Sequence, residues 1–316
     1  MGDRSADGSS TSPTRRSPRS PRSPKASVGS GSAGERGGGL GRSQLKDLAA
    51  RHGIRPTRIR GQHFLADPNL ARAIVADAGV GQGDRVVEVG AGLGSLTVPL
   101  AEAGAQVLAI EVDHGLSRAL REVVGSYPNV RIEVSDAMRT DWTAALGADH
   151  WSMVSNLPYN VSVPLVLDLL QAAPIDRYVV MVQREVGERL VAGPGEEAYG
   201  AVSVRVAYRA DARVLRRVPA DVFWPRPKVD SVLVRLDRRP PAVDVDPAAL
   251  FAIVDEGFAA RRKTMANALR RLGRDAGDAA EILRAVDPDP NVRAERLGLD
   301  AFAAIARSML ERGWTP

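Results

Sequence analysis

The sequence predicts an α/β fold with a parallel sheet, followed by a small all-helical domain in the C-terminal part of the chain. Three observations lead to this prediction. Between residues 85 and 191, short apolar segments alternate with amphipathic helical patterns, as in a parallel sheet covered on both faces. A glycine-rich turn follows the first apolar segment. After Pro240 and Pro241 the periodicity is purely helical.

Composition divides the 316 residues into three parts. Residues 1–43 are rich in Ser, Gly and Pro and almost lack large apolar side chains, so we expect a disordered basic tail. This tail has eight basic and three acidic side chains, which accounts for the whole net charge of +5. We expect residues 44–240 to form the α/β domain and residues 241–316 to form the helical domain.

Each element is predicted from its local pattern. Ser43 is expected to cap a helix that ends at Arg51, and Asp67 with Pro68 is expected to open a second helix that ends at Gly79. The predicted strands are 85–89, 106–111, 130–134, 151–156 and 178–182, with a late antiparallel pair at 214–218 and 232–236. The predicted helices are 95–103, 114–125, 163–172 and 184–191, then 247–258, 262–272, 276–285 and 300–311.

The composition also excludes several classes of protein. The chain contains no cysteine, which removes disulfides, thiolate zinc sites, iron–sulfur clusters and cysteine nucleophiles. The four histidines show no metal-ligand spacing, so we expect no metal. No apolar run approaches the ~18 residues of a membrane span, so we expect a cytoplasmic protein with no membrane partner.

The first strand runs into a loop with glycines at 90, 92 and 94, and acidic residues follow the next two strands. The G-x-G-x-G spacing differs from the G-x-G-x-x-G of dinucleotide sites. Glu111 is placed to accept both hydroxyls of a ribose, and Asp136 is placed to accept an adenine amino group. The pattern favours a nucleoside-type cofactor, and the methyl donor S-adenosylmethionine over NAD.

The fourth strand ends in Asn156-Leu157-Pro158-Tyr159, a pattern suited to methylation of an exocyclic amine. The lone pair of such an amine is delocalised into the ring, which makes the nitrogen a poor nucleophile. The Asn156 side-chain oxygen and the Leu157 carbonyl can both accept from the amino group and localise its lone pair. Pro158 stiffens the turn, and Tyr159 offers a ring on which an extruded base can stack.

These motifs together resemble the bacterial small-subunit ribosomal RNA adenine N6,N6-dimethyltransferases. The resemblance covers the chain from about residue 44 to the end. The matching segments are 61–65 (Gly-Gln-His-Phe-Leu), 88–97, 111–113, 136–137, 156–160, 183–186, 223–231 (Phe-Trp-Pro-Arg-Pro-Lys-Val-Asp-Ser), 258–265 and 267–269.

The resemblance implies a Rossmann-like sheet of the class I S-adenosylmethionine-dependent methyltransferases. It also implies dimethylation of two adjacent adenosines near the 3′ end of 16S ribosomal RNA, in the immature small subunit. By position, the implied cofactor contacts are His63, Leu65, Gly90, Glu111, Asp136 and Asn156. The implied contacts of the target base are Asn156, Leu157, Pro158 and Tyr159, with Phe223 as a second aromatic near the pocket. The family usually has Asn where this chain has His63, and either side chain can form a hydrogen bond there.

Positive charge gathers late in the chain and predicts an RNA-binding face. Residues 205–239 include ten basic and four acidic side chains, and residues 261–274 include six basic side chains and none acidic. We expect these segments to bind RNA phosphates, with contacts from Arg226, Lys228, Arg261, Arg262 and Lys263. A solvated helix face and an edge strand would give the same charge pattern. We expect the protein to act as a monomer.

Three alternatives share parts of the pattern. The nearest is the related family that methylates one adenosine of 23S ribosomal RNA and confers macrolide-type resistance. Arg261–Thr264, Asn267–Leu269 and Leu157 at the strand end favour the small-subunit group. A glutamine-directed protein methyltransferase could use the same strand end on an amide, but it has little use for the basic segments. A non-enzymatic assembly factor would not need the complete set of glycine loop, acidic residues and strand end.

Overall fold

The structure is a computed structural model that describes residues 39–56, 61–159, 161–260 and 262–316. The tail up to residue 38 and Arg261, for which the sequence makes predictions, lie outside these residues. The strands are β1 Phe64–Leu65, β2 Arg85–Val89, β3 Gln106–Ile110, β4 Val130–Glu133, β5 Trp151–Asn156, β6 Ile175–Gln183, β7 Ala210–Val218, β8 Phe223–Trp224 and β9 Ser231–Arg238. The helices are α1 Arg42–Arg51, α2 Pro68–Ala78, α3 Thr97–Glu102, α4 His114–Val124, α5 Trp142–Leu146, α6 Ser162–Ala172, α7 Arg184–Val191, α8 Ala201–Arg209, α9 Pro247–Ala259, α10 Met265–Arg271, α11 Ala276–Arg284 and α12 Leu299–Glu311.

The central sheet has the order β4-β3-β2-β5-β6-β9-β7. The first five of these strands are parallel, and β9 pairs antiparallel with both β6 and β7. The predicted late antiparallel pair is therefore confirmed and extends the parallel sheet at one edge. After β4, at one edge of the sheet, the chain returns to the centre and forms β5 on the free side of β2. The carboxyl ends of β2 and β5 therefore lie side by side at the centre of the sheet, where ligands bind in open α/β folds.

Both faces of the sheet are covered by helices, and its central strands carry buried apolar side chains on both sides. In β2, Val87 and Val89 pack on one side, whereas Val86 packs on the other. Helix α6 supplies the first side with Leu165 and Leu169, among others. Helices α2, α3 and α4 cover the second side. Strands with buried side chains on both faces are typical of a parallel sheet covered by helices.

The beginning of the described chain corrects one boundary. Helix α1 begins at Arg42, and Gly41 rather than Ser43 is its N-cap, with the Gly41 amide donating to Gln44 Oε1 at 2.8 Å. Leu40 packs against the cluster that contains Leu45. Residues 40–43, which composition assigns to the tail, therefore belong to the folded part. The second helix starts as predicted, because Asp67 accepts from two backbone amides of its first turn.

Helices α9 to α12 form the helical region that the periodicity predicts. Their core includes Leu250, Ile253, Leu269 and Phe302, and it also takes in Tyr208 from α8. Helix α8 and the short antiparallel pair of β1 with β8 are absent from the sequence prediction. Helix α8 precedes residue 240 in the chain and yet contributes to the core of the C-terminal helices. The predicted domain boundary near residue 240 therefore stays a prediction.

Within the described residues, no helix combines the length and apolar character needed to span a membrane.

Candidate active site

A cavity of about 480 Å³ opens at the carboxyl ends of β2, β3, β4 and β5. It lies where the sequence places the candidate cofactor residues. Its walls come from the glycine loop after β2, the acidic turns after β3 and β4, the end of β5 and residues 61–64 before and within β1. His63, Gly90, Glu111, Asp136 and Asn156 all line it, so the structure brings together five of the six predicted cofactor contacts.

The glycine loop is shaped by close neighbours on both sides. Gly90 and Gly92 have φ angles of +74° and +58°, a region that side chains rarely adopt. A Cβ atom on Gly92 would lie 2.9 Å from the Phe64 ring, and one on Gly90 would lie 3.3 Å from Pro158. The loop is thus held between β1 and the end of β5, and its backbone faces the cavity without side chains in the way.

Glu111 is fixed to the glycine loop by its carboxylate. Its Oε2 atom accepts from the Gly92 amide at 2.8 Å, and its Oε1 atom accepts from the Asp113 amide at 2.9 Å. The side chain is only 5% exposed, and burial raises the pKa of the Glu111 carboxyl. Each carboxylate oxygen keeps a second acceptor position, so the group can still receive the two hydroxyls of a ribose.

The outer part of the cavity is suited to a flat, partly apolar ring. Val112 is 63% exposed and Met138 is 40% exposed, and both line this cavity. Asp136 stands beside them, and its Oδ1 atom accepts from the Met138 amide at 3.0 Å. Exposed apolar side chains next to a fixed carboxylate are suited to binding a purine by its faces and its amino group.

Glu88 is a further acidic residue next to this site, and it lies in β2 without lining the cavity. It lies two residues before Gly90 at the end of β2, and only 2% of it is exposed. Thr97 Oγ1 donates to Glu88 Oε2 at 2.6 Å and ties the strand to the first turn of α3. Burial raises the pKa of Glu88 to about 8; the Thr97 hydrogen bond opposes this shift, and the nearby charge of Glu111 adds to it. Its position before the glycines was the available signal, but only the fold shows its burial.

The strand end Asn156-Leu157-Pro158-Tyr159 borders the same cavity through Asn156 and Pro158. Asn156 Nδ2 donates to the backbone carbonyl of His63 at 2.8 Å. A carbonyl only accepts, so this contact assigns the nitrogen of the amide and leaves Oδ1 available as an acceptor. The Leu157 side chain is buried, and its amide donates to Met181 in the neighbouring strand at 3.1 Å.

Tyr159 is held by two contacts outside its own segment. Its ring stacks on the imidazole of His63, with centroids 5.5 Å apart and an interplanar angle of 27°. Its hydroxyl lies 3.2 Å from Ser231 Oγ. Burial raises the pKa of Tyr159, so the hydroxyl stays protonated at neutral pH.

Two predicted contacts sit differently from expectation. Phe223 is the first residue of β8 and its side chain is fully buried in the core, so its ring is not open to an incoming base. Its strand partner Leu65 is buried in the same core, so only its main chain remains for a cofactor contact. The physical reason is the pairing of β1 with β8, which buries these two side chains and places Phe64 opposite Trp224. This pairing joins segments 158 residues apart and leaves no local trace in the sequence.

Ion pairs neutralise part of the charge in both basic segments, and in segment 261–274 Arg271 pairs with Glu256 and Arg274 with Asp278. Much of the charge in segment 205–239 is neutralised, because several of its arginines have carboxylate partners. The pairs are Arg205 with Asp255, Arg213 and Arg235 with Asp237, Arg216 with Asp77, and Arg239 with Asp211. The whole segment is therefore not a free cationic surface, contrary to the expectation from its net charge.

The four described basic residues among the predicted RNA contacts are exposed. Arg226 and Lys228 lie between β8 and β9, and Arg262 and Lys263 lie between α9 and α10. Within the described residues, no ion pair forms at any of the four. Lys263 also lines an open cavity of about 690 Å³ with Arg270 of α10 and with Arg274, which lies between α10 and α11. Among the described residues, no group of three potential metal ligands is present.

Comparison with known proteins places this geometry in a family. A family model described as ribosomal RNA adenine dimethylase matches residues 57–306. A ribosomal RNA small subunit methyltransferase A from Cutibacterium acnes is 42% identical over 286 residues, which are 87% of this chain and 95% of the relative. The protein of the same name from Streptomyces griseus is 45% identical over 275 residues, which cover 84% and 94% of the two chains.

Solved structures show the same fold. A dimethyladenosine transferase from Plasmodium falciparum has a TM-score of 0.69 at 23% identity, and the match covers 80% of this chain and 99% of that one. The 23S rRNA methyltransferase ErmE has a TM-score of 0.61 at 22% identity, with 78% and 98% covered. The predicted fold class, a Rossmann-like sheet with a helical C-terminal region, is confirmed, and so are the predicted family, the class of enzyme and the cofactor.

Proposed function

Because the chain belongs to the ribosomal RNA adenine dimethylase family, we propose that it methylates N6 of two adjacent adenosines near the 3′ end of 16S ribosomal RNA. It is an S-adenosylmethionine-dependent adenine dimethyltransferase. The proposed substrate is this RNA within the immature small ribosomal subunit, and the proposed place of action is the cytoplasm. The observation that carries the proposal is the orientation of Asn156, whose amide nitrogen is engaged by His63 and whose oxygen is left to accept from a substrate amine.

The cavity residues fit S-adenosylmethionine by their chemistry. Glu111 would accept the ribose hydroxyls, Asp136 would accept the adenine amino group, and Val112 and Met138 would cover the purine faces. The backbone at Gly90 and the side chain of His63 would lie beside the amino-acid portion. When bound there, the cofactor supplies an electrophilic methyl group.

The strand end would act on the target base. Asn156 Oδ1 and the Leu157 carbonyl would accept from the N6 amino group, localise its lone pair and aim it along the line of transfer. Pro158 would keep the turn rigid, and Tyr159 would stack on the extruded adenine, a contact worth about 1–3 kcal/mol. The N6 nitrogen becomes strongly acidic once it has attacked and carries the new methyl group, so its proton can leave to water without a dedicated base.

The exposed cations would position the RNA. Arg226 and Lys228 stand on the segment that leads from β8 to Ser231, close to the strand end. Arg262 and Lys263 would contact phosphates from the helical region, and Arg261 is proposed to join them on sequence grounds alone. Contacts of this type set affinity and its salt dependence rather than the chemistry.

We further propose that the protein acts as a monomer. The large apolar side chains exposed in the described residues are Val112, Met138, Val214 and Val229. The first two belong to the cofactor cavity, and the other two lie on separate strands or loops. Scattered exposure of this kind supports no obligate interface. Sedimentation analysis is expected to give the mass of one chain.

A methyl-transfer assay tests the proposed function. Immature 30S particles that lack these methyl groups are incubated with the protein and S-adenosylmethionine, and modification is read by base position. We expect methylation of the two adjacent adenosines and none on protein-free 23S ribosomal RNA. Asn156→Ala is expected to lower the rate about 100-fold or more, the usual effect of losing one transition-state hydrogen-bonding group. Ser126→Ala, at an exposed position between α4 and β4, at the amino end of that strand and so at the opposite edge of the sheet from the cavity, serves as the control.

Two results would contradict the proposal. Transfer to 23S ribosomal RNA but not to 30S particles would assign the chain to the large-subunit group. A full rate for Asn156→Ala would remove the role given to the strand end.

A further inference from the structure

Tyr159 can serve as a stacking platform only if its ring is held in one orientation before the base arrives. A free tyrosine ring populates several staggered side-chain orientations, and part of the stacking energy is then lost in ordering it. Tyr159 stands at the end of a turn and is only partly buried. Its orientation therefore depends on what it contacts outside residues 156–159.

The first contact covers one face of the ring. The His63 imidazole stacks on Tyr159 at 5.5 Å between centroids, and its own orientation is fixed by a hydrogen bond of 2.7 Å between Nδ1 and the Pro225 carbonyl. Because a carbonyl only accepts, Nδ1 is the donor. His63 covers one face, so a base that stacks on Tyr159 has to use the other.

The second contact holds the edge of the ring. Ser231 is 1% exposed and is the first residue of β9, where its main chain pairs with Gln183 on one side and Val218 on the other. Its hydroxyl meets the Tyr159 hydroxyl at 3.2 Å, so the Tyr159 side chain cannot swing to another orientation about its Cα–Cβ bond without breaking this hydrogen bond. The anchors Pro225 and Ser231 belong to a single segment, the one that presents Arg226 and Lys228.

We propose that His63 and Ser231 are positioning residues that clamp the Tyr159 ring, His63 by its face and Ser231 by its hydroxyl. This inference rests on the proposed function, since it assigns Tyr159 to the target base. It also gives His63 a role that the Asn usual in the family cannot fill, because an amide lacks the ring area for this stacking. His63 lines the cofactor cavity, so the clamp also connects the cofactor cavity to the base platform.

A double-mutant cycle tests the hydroxyl half of the clamp. Ser231→Ala and Tyr159→Phe remove the same hydrogen bond from its two ends. Each is expected to lower kcat about three- to tenfold, the range for one hydrogen bond, with little change in the affinity for S-adenosylmethionine. The double variant is expected to be no slower than either single variant. Additive effects, or an unchanged kcat in both single variants, would overturn this half.

A matched series tests the stacking half. His63→Phe keeps an aromatic ring, whereas His63→Asn removes it, and both lose the hydrogen bond to Pro225 as it now stands. We expect His63→Phe to retain more of kcat than His63→Asn, with equal melting temperatures for the two. Equal losses of kcat in both would overturn the stacking role. His150→Asn and Ser126→Ala, at exposed positions away from the cavity, are the controls.

A measurement without RNA separates failure of the clamp from failure of the proposed function. A fluorotyrosine placed at position 159 reports the order of its ring by fluorine NMR in the free protein. We expect one sharp resonance in the parent protein, and a shifted or broadened one in Ser231→Ala and His63→Asn. Unchanged spectra would refute the clamp even if methylation proceeds. If the spectra change in the variants but the parent protein does not methylate 30S particles, the clamp stands and only the proposed function is refuted.

Discussion

The buried carboxyl of Glu88 offers a quantitative test of the electrostatics beneath the glycine loop. Burial raises its pKa from the ordinary value of 4.5 to about 8. Between these two values the folded chain holds a proton that the unfolded chain has released. The free energy of unfolding therefore falls as pH rises through this window, by about 1.4 kcal/mol per pH unit.

Glu88→Gln removes this dependence, because glutamine resembles the protonated carboxyl in shape and is neutral at every pH. The variant is expected to gain stability relative to the parent protein as pH rises. From pH 5 to pH 7, a span of two pH units, the difference in the free energy of unfolding between the variant and the parent protein should grow by about 3 kcal/mol. The glutamine oxygen can still accept from Thr97, so the hydrogen bond to α3 is kept.

Urea unfolding of both proteins at pH 5, 6 and 7 measures the difference. Glu311→Gln, which changes an exposed carboxyl at the end of α12, is the matched control and should show no such trend. Affinity for S-adenosylmethionine at pH 7 is expected to stay within about twofold, since Glu88 is already neutral there. A stability difference that does not change with pH would refute the reasoning, and so would a carboxyl NMR titration of Glu88 with its midpoint near 4.5.

Two further predictions address the cofactor loop and the RNA-binding cations. Gly92→Ala forces a side chain into a left-handed conformation and against an aromatic ring, so it should lower the free energy of unfolding by about 1–3 kcal/mol. It should also weaken S-adenosylmethionine binding, because the Gly92 amide that holds Glu111 moves; calorimetry with unchanged affinity would contradict this. Reversal of Arg262 and Lys263 to glutamate should weaken RNA binding and reduce its salt slope by about one per lost phosphate contact. Affinity for S-adenosylmethionine should not change in that variant, and an equal loss of both affinities would speak against a separate RNA-binding role.

Local patterns predict most of the sheet because its strands differ sharply from their surroundings. The predicted strands 85–89 and 151–156 coincide with β2 and β5, where apolar segments stand between polar turns. Strand β6 runs from Ile175 to Gln183, several residues longer than predicted, because pairing with β5 extends it back to Ile175 and pairing with β9 extends it to Gln183. Strands β1 and β8 have two residues each and form only because they meet one another. No periodicity can be read from two residues.

The residues of the candidate site also fall into two groups, those that local patterns predict and those whose surroundings only the fold reveals. Glu111, Asp136 and Asn156 follow strands directly, and the carboxyl ends of parallel strands lie at one edge of the sheet, so their gathering around the cavity could be expected. Phe223 is also named by a sequence motif, but its burial depends on a strand partner far away in the chain. Ser231 stands in the same motif, and only its contact with Tyr159 points to a role.

By itself, the sequence determined the fold class, the cofactor, the enzyme family and the residues at the strand ends, because each of these is encoded within a few neighbouring positions. Only the tertiary structure decided that Glu88 is buried, that Tyr159 is held by His63 and Ser231, and which of the described arginines pair with a carboxylate. The physical reason is the same for all three. Burial, stacking and ion pairing depend on groups that are distant along the chain and meet only after it has folded.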